Sequence, residues 1–225
     1  MGLDVYAHRV SKKVADKYGV SIQSGIEEVY NALKKDCRAD FKKKTTSYLK
    51  TLTKKYDTQS ADEYSQSYME FISKLNNIDN YKKYRWYLND FGYDEQQDTL
   101  VNVKTPSEVK EVLKDHLRFF SPCEDAYFRK VNFIYAYFQN LLVDECCLVD
   151  KKAIFNLVNI CKEVLKHKDN IEFAKDNLPT TSGFFFGSTE YDEYYYNDVE
   201  DCINQMEKLY NSMDDEDFVL WVFSW

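Results

Sequence analysis

Two glycines bracket three phenylalanines in Ser182-Gly183-Phe184-Phe185-Phe186-Gly187-Ser188-Thr189, and the run Tyr191-Asp192-Glu193 follows like a helix start. The chemistry this spacing could do is anion capture. Backbone N–H groups of Ser182, Gly183, Gly187, Ser188 and Thr189, set just ahead of a helix N-terminus, can cradle a phosphate or carboxylate. Tyr191 adds a hydroxyl. Glu190, Asp192 and Glu193 oppose that chemistry, because they already suit the positive end of the helix and would repel a phosphate. Capping of the helix within residues 189–192 is the competing reading. The three rings read as core, or as a plug that a partner receives.

A second group of candidates lies elsewhere. Arg129 and Asn132 stand three residues apart in a stretch that reads as helix, so both project from one side. An Arg fork there pairs with Asp4 or the acidic loop, or clamps the carboxylate or phosphate of a ligand. His8 shares the polar side of a first strand with Asp4, where a surface position is expected and an acid–base pair is conceivable. His116 and His167 are scattered. No Ser-His-Asp order and no cluster at metal-ligand spacing occurs, so no catalytic residue, metal or cofactor is assigned. Cys37, Cys123, Cys146, Cys147, Cys161 and Cys202 form no C-x-x-C pair and read mostly as buried thiols.

The elements that would position these residues are mainly helices. Leu3, Val5 and Ala7 alternate with Asp4, Tyr6 and His8, a strand period. Residues 12–18 form a short helix stopped by Gly19. Ile26, Val29, Leu33, Cys37 and Phe41 then recur at helical steps, and the pattern predicts a helix over 24–55. Further helices are expected over 61–76 and 78–90, and a short strand over 99–103. Thr105-Pro106-Ser107-Glu108 is a capping box with proline at the first helical position, opening a helix to about residue 118. Ser121-Pro122-Cys123-Glu124 reads as a second such signal, opening a helix with Tyr127, Val131, Ile134, Phe138 and Leu141 inward. An extended piece over 146–149, helices over 150–165, 170–177 and 192–211, and a last strand over 218–225 complete the chain. The expected fold is α+β, mostly helical, with a small sheet containing the N- and C-terminal strands.

The 225 residues include 19 tyrosines but only 6 glycines and 3 prolines, which favours helices over turn-rich β architecture. Net charge is −8. It is divided unevenly: residues 11–60 carry 12 Lys/Arg against 6 Asp/Glu, and residues 186–217 carry 11 Asp/Glu against one Lys. Broad binding to nucleic acid is therefore not expected, since phosphate neutralisation needs clustered Lys and Arg, although the lysine-rich helix with Tyr48 and Tyr56 interleaved could track a strand. Lys42, Lys43 and Lys44 at the basic end, and Asp198, Glu200, Asp201, Asp214, Asp215, Glu216 and Asp217 at the acidic end, are candidates for protein interaction. Solvated faces, or mutual neutralisation, are the plain alternative. No run is apolar enough to cross a bilayer and no apolar leader opens the sequence, so a cytoplasmic protein without membrane contact is expected.

Four stretches carry a resemblance: Met1-Gly2-Leu3-Asp4-Val5-Tyr6, Tyr127-Phe128-Arg129-Lys130-Val131-Asn132, Leu178-Pro179-Thr180-Thr181-Ser182-Gly183-Phe184-Phe185-Phe186-Gly187-Ser188 with Tyr191-Asp192-Glu193, and the final Ser224-Trp225. Together they resemble a widespread family of uncharacterised phage and prophage proteins, over residues 1–7 and about 124–225. Members often carry His where this chain has Tyr135. The kinase-like label of some members finds no support, as no G-x-x-x-x-G-K-[ST] loop is present. The resemblance implies a family-like α+β core over 1–10 and 123–225 with a helical insertion over 11–122. It also implies a phage or prophage context and a host or phage protein as partner. The functional expectation is a non-enzymatic binding protein, in its specific form an inhibitor of a host defence protein. The alternative is an enzyme or small-ligand binder for a phosphorylated or nucleotide-like ligand, with Asp4, Arg129, Asn132 and the loop as its site.

Overall fold

The computed structural model describes residues 2–78, 81, 85–119, 122 and 124–225, and the chain divides into two units, residues 1–33 with 124–225 and residues 34–123. In the first unit β1 (Asp4–Val10) and β6 (Phe218–Ser224) pair antiparallel at the centre of a four-stranded sheet. The register runs from Asp4 opposite Ser224 to Val10 opposite Phe218. β4 (Ala126–Arg129) flanks β1 and β5 (Cys146–Asp150) flanks β6, giving the order β4-β1-β6-β5. The N- and C-terminal strands are thus neighbours, as their apolar patterns suggest.

Helices cover both faces of this sheet. On one side Val5, Ala7, Phe128, Val149, Val219, Trp221 and Phe223 pack against α5 (Asn132–Phe138), α6 (Lys151–Lys166) and α8 (Glu193–Ser212), with α7 (Ile171–Asn177) alongside. On the other, Val10, Phe218 and Leu220 meet residues of α1 (Lys12–Tyr18) and the start of α2 (Ile26–Tyr56), including Val14, Ile26 and Val29. Residues 11–33 therefore group with the sheet. A strand buried on both faces needs a continuous apolar run rather than alternation, and Phe218-Val219-Leu220-Trp221 supplies it. Full burial of each large side chain contributes about 1.5–3 kcal/mol. The β4 edge is closed by Gln205 of α8, whose amide accepts from the Tyr127 N–H and donates to the Tyr127 carbonyl, both at 3.1 Å. A side chain here does the work of a fifth strand and blocks edge pairing.

The second unit holds the rest of α2, then α3 (Ala61–Asn76), a 3-10 segment (Arg85–Phe91), the short pair β2 (Tyr93–Asp94) and β3 (Thr99–Leu100), and α4 (Pro106–Phe119). Capping boxes open both α3, through Ser60 and Glu63, and α4, through Thr105 and Glu108. Phe41, Tyr68, Phe71, Leu75, Tyr81 and Phe91 form its core. Gly92 has φ +76°, and a Cβ there would sit 2.3 Å from the Asn102 carbonyl oxygen, so the turn into β2 accepts only glycine.

Four expectations are corrected. The stretch after residue 124 is not one helix. Ala126 and Phe128 face inward as a strand, Lys130 turns the chain at φ +61°, and α5 begins only at Asn132. Leu141, expected inside, is exposed. Within the helix expected over 78–90, Tyr81 is helical but Arg85–Phe91 is a 3-10 segment, while residues 79–80 and 82–84 lie outside the described residues, as do Ser121 and Cys123 of the second capping signal. His8 is buried rather than on the surface, because the second face of the sheet is also covered.

The acidic turn before β6 secures the sheet. Asp217 is buried, receives the Arg9 guanidinium at 2.6 and 2.7 Å, and accepts the N–H groups of Lys12 at 2.7 Å and Asp214 at 2.9 Å. Burial pushes its carboxyl up, but those N–H donors and Arg9 outweigh it and hold the group below its usual range. The stability from a depressed carboxyl is complete above the ordinary carboxylate range and is lost as pH falls through the lower folded value. Asp217→Asn should accordingly lower unfolding free energy by about 3–5 kcal/mol at neutral pH. It should also flatten the loss of stability on acidification, both read from urea titrations across pH.

Candidate functional site

The glycine-bracketed loop is organised from beneath by Asn132, the first residue of α5. The buried Asn132 amide nitrogen donates to the carbonyls of Phe186 at 3.3 Å and Ser188 at 2.8 Å, and its oxygen accepts the Thr181 N–H at 3.3 Å. The two arms are closed again further out. Tyr191 Oη accepts from Thr180 N at 3.0 Å, and the Thr180 hydroxyl donates to the Thr189 carbonyl at 3.0 Å. Ser188 Oγ accepts the Glu190 N–H at 3.1 Å. Asp192 caps α8 by accepting the Tyr195 N–H at 3.1 Å, and the Tyr195 hydroxyl reaches the Leu178 carbonyl at 2.8 Å. The loop is also tied to the N-terminal strand, since Leu3 N–H donates to the Phe185 carbonyl at 3.1 Å.

The three phenylalanines have different fates. Phe186 is 5 % exposed and packs edge-on against Tyr135 and Trp225, with ring centroids 5.1 Å apart in both pairs. Gly183 makes room for it: a Cβ there would lie 2.6 to 2.8 Å from the Phe186 ring. Gly187, at φ +95°, lets the backbone pass Lys130, where a Cβ would come within 3.0 Å. Phe184 and Phe185 are 80 % and 42 % exposed and meet edge-on, with ring centroids 4.2 Å apart. The expectation that the run is core holds for Phe186 and is corrected for the other two.

Beside the loop lies a cleft of about 210 Å³ lined by Lys130, Asn132, Thr180, Gly187, Ser188, Glu190, Asp192, Tyr194 and Asp198 among others. Asn132, Gly187 and Ser188 of the ligand-binding candidates meet there, with Asp198 of the acidic protein-interaction candidates. Ser182 and Thr189 lie exposed on the loop. Asp198 is half-buried, and burial, with Asp201 and Asp192 nearby, pushes its carboxyl up to about 6. Three carboxylates against one lysine make this a poor place for a phosphate.

Arg129 and Asp4 fall elsewhere, as opposed residues of β4 and β1. Arg129 ends a strand and is exposed, so it neither shares a helix face with Asn132 nor forms a buried fork. Asp4 accepts the Tyr127 hydroxyl at 2.5 Å, and burial together with this bond pushes the phenol up to about 12. At the acidic end, Glu200 is exposed, Asp201 accepts from the Gln205 amide at 2.8 Å, Asp215 meets Lys151 at 3.2 Å and Glu216 meets Lys12 at 2.5 Å. Asp214 is 4.0 Å from Arg9. Of the basic candidates Lys42 and Lys43 are exposed, and Lys44 pairs with Asp40 at 2.7 Å.

Sequence reading missed one constellation. In the second unit the Tyr81 hydroxyl meets His116 Nδ1 at 2.7 Å, and His116 Nε2 meets Asp90 at 2.8 Å. The imidazole is buried among Tyr81, Tyr87 and Phe91. Tyr81, Asp90 and His116 are separated by 9 to 35 residues, and only the core of this unit brings them together. The phenol is fully buried and its pKa is raised by that burial and by Asp90, so the chain satisfies buried polar groups rather than activating a nucleophile. Among the described residues no group of His, Cys, Asp and Glu could hold a metal ion, and no helix is long and apolar enough to cross a membrane.

Asn132→Ala would leave two loop carbonyls and one N–H without their partner and should cost about 2–3 kcal/mol. Faster amide exchange over residues 180–191, with the α6–α8 amides unchanged, distinguishes loop release from global unfolding. His116→Phe keeps a ring but removes the hydrogen bonds to Tyr81 and Asp90, and should cost about 1–3 kcal/mol in a denaturant melt. Comparison with protein-family models, curated proteins and solved structures finds no match.

Proposed function

We propose that this chain is a non-enzymatic protein-binding module whose contact surface is the tip of the glycine-bracketed loop. The observation that carries the reading is the placement of Phe184 and Phe185. They project into solvent from a loop that Asn132, Tyr191 and Leu3 hold rigid. Phe185 also sits at φ +73°, a left-handed conformation that costs a side-chain-bearing residue about 1–2 kcal/mol. Pre-organised exposed aromatics suit an anchor that buries in a partner, where such residues dominate binding energy. Strain kept at an exposed position points to function rather than folding.

A phage or prophage origin, with a host protein as target and inhibition of a host defence protein as the outcome, is the specific form of this reading. It rests on the resemblance of the loop and the chain ends. The alternative of a phosphorylated or nucleotide-like ligand is weaker on physical grounds. Asn132 spends its amide on the loop, Arg129 stands apart from the cleft, and the cleft is lined by carboxylates.

Phe184→Ser combined with Phe185→Gly separates binding from folding. Glycine relieves the left-handed backbone, so thermal stability should be unchanged or raised, by up to about 1 kcal/mol. Co-purification from infected host cells should then yield a stoichiometric protein with the native chain and none with the variant. Retention of the partner by the variant would move the contact surface elsewhere, and a bound small molecule without a protein partner would favour the alternative.

A further inference from the structure

Part of the basic charge of the sequence is not used in ion pairs of the fold. Residues 34–55 carry nine Lys/Arg against two Asp, a net of +7, so the remainder of the −8 chain carries −15. Lys35, Lys42, Lys43, Lys50 and Lys54 of α2 are all exposed, and none forms an ion pair among the described residues. At about 100° per residue the five fall within an arc of about 120°, and from Lys35 to Lys54 they extend about 28 Å. The opposite side of the helix is occupied: Phe41, Thr45 and Leu52 are buried. Lys44 and Lys55 lie off the stripe and are paired, with Asp40 and Glu70. These ion pairs thus lie on the side away from the stripe; Asp36 falls at the angle of Lys54 on the edge of the outward arc, which is otherwise a row of exposed ammonium groups.

We infer that this face of α2 is a docking surface for an acidic segment of a protein partner. Charge complementarity sets the sign of the ligand, and the composition of the stripe selects its class. Recognition of bases uses aromatic stacking or the bidentate fork of Arg. The stripe has neither, because Tyr48 and Tyr56 lie off it and Arg38 turns inward to the Arg118 carbonyl at 2.6 Å. Lysine instead offers point charges on flexible stems, which track carboxylates of irregular spacing. This surface is independent of the loop, and its attraction should be salt-sensitive because the charges are exposed.

The test uses the full chain and a fluorescein-labelled oligoglutamate peptide, followed by anisotropy at about 50 mM and about 200 mM salt. Lys42→Glu, Lys43→Glu and Lys50→Glu together should weaken binding at least about tenfold. A control with Lys13→Glu, Lys152→Glu and Lys208→Glu has the same net charge and should bind as the native chain does. Matching circular dichroism and melting curves check the fold, and single Lys→Ala changes replace the triple if it melts early. Equal losses in stripe and control variants would reduce the effect to net charge and overturn the proposal. So would the absence of binding to the native chain. Tighter, stripe-dependent binding of an oligonucleotide of equal charge would also overturn it, by making the face a nucleic-acid surface.

Discussion

β1 and β6 join across seven register positions, and each layer of the first unit is built against one side of that pair. Because both strands are interior, every inward side chain on them meets a helix, and every edge hydrogen bond has to be found from β4 or β5. The pairing closes a chain of more than two hundred residues, so it brings a large loop-closure cost that local contacts cannot offset. Asp217 is the group that answers it locally. It ties the turn entering β6 to Arg9 at the far end of β1 and to the first N–H of α1, so the register and the helix start are set by one carboxylate.

The unusual tyrosine content has a structural explanation that interface composition does not require. Tyr64, Tyr68, Tyr195 and Tyr196 are buried by their rings and donate their hydroxyls to the carbonyls of Lys104, Phe91, Leu178 and Lys168. In each case the bonded carbonyl lies near the end of a segment or in a connection, where backbone groups lack helical partners. A ring that fills the core and a hydroxyl that satisfies a distant carbonyl let few glycines and prolines suffice for the connections. Tyr81 is satisfied in the same way by a hydrogen bond with the His116 imidazole. These rings consequently say little about partners, and the proposal of a contact surface rests on the exposed Phe184 and Phe185 instead.

Most helices were legible because their apolar residues repeat at three- and four-residue steps, and because the Thr105 box and the cap within 189–192 announce two of their starts. The two terminal strands were legible from alternation at one end and a continuous apolar run at the other. β4 was not. Tyr127, Val131, Ile134 and Phe138 satisfy the helical period, while Ala126 and Phe128 satisfy the strand period over only four residues, too few to decide. The break between them is a left-handed Lys130, which has no glycine to mark it. The loop shows the same limit at single-residue scale: three identical rings carry no periodicity, and only the space left by Gly183 selects Phe186 for the core. Asn132 was visible as a polar residue in an apolar stretch, but its role as a clamp needed the loop carbonyls, which are 54 and 56 residues away.

The lopsided charge of the sequence resolves differently at its two ends. The acidic turn is absorbed, since Asp217 is buried against Arg9 while Asp215 and Glu216 reach Lys151 and Lys12. Those contacts draw on lysines of α1 and α6 and leave the lysines of α2 unused. A fold that needed only self-neutralisation would pair α2 with acids on neighbouring turns, as Lys44 and Asp40 already do. The outward positions between Lys42 and Lys54 hold Thr46, Ser47 and Thr53, hydroxyl residues of modest helix propensity, where Glu would both stabilise the helix and quench the charge. Helix stability therefore does not explain that face; the acidic partner inferred above would.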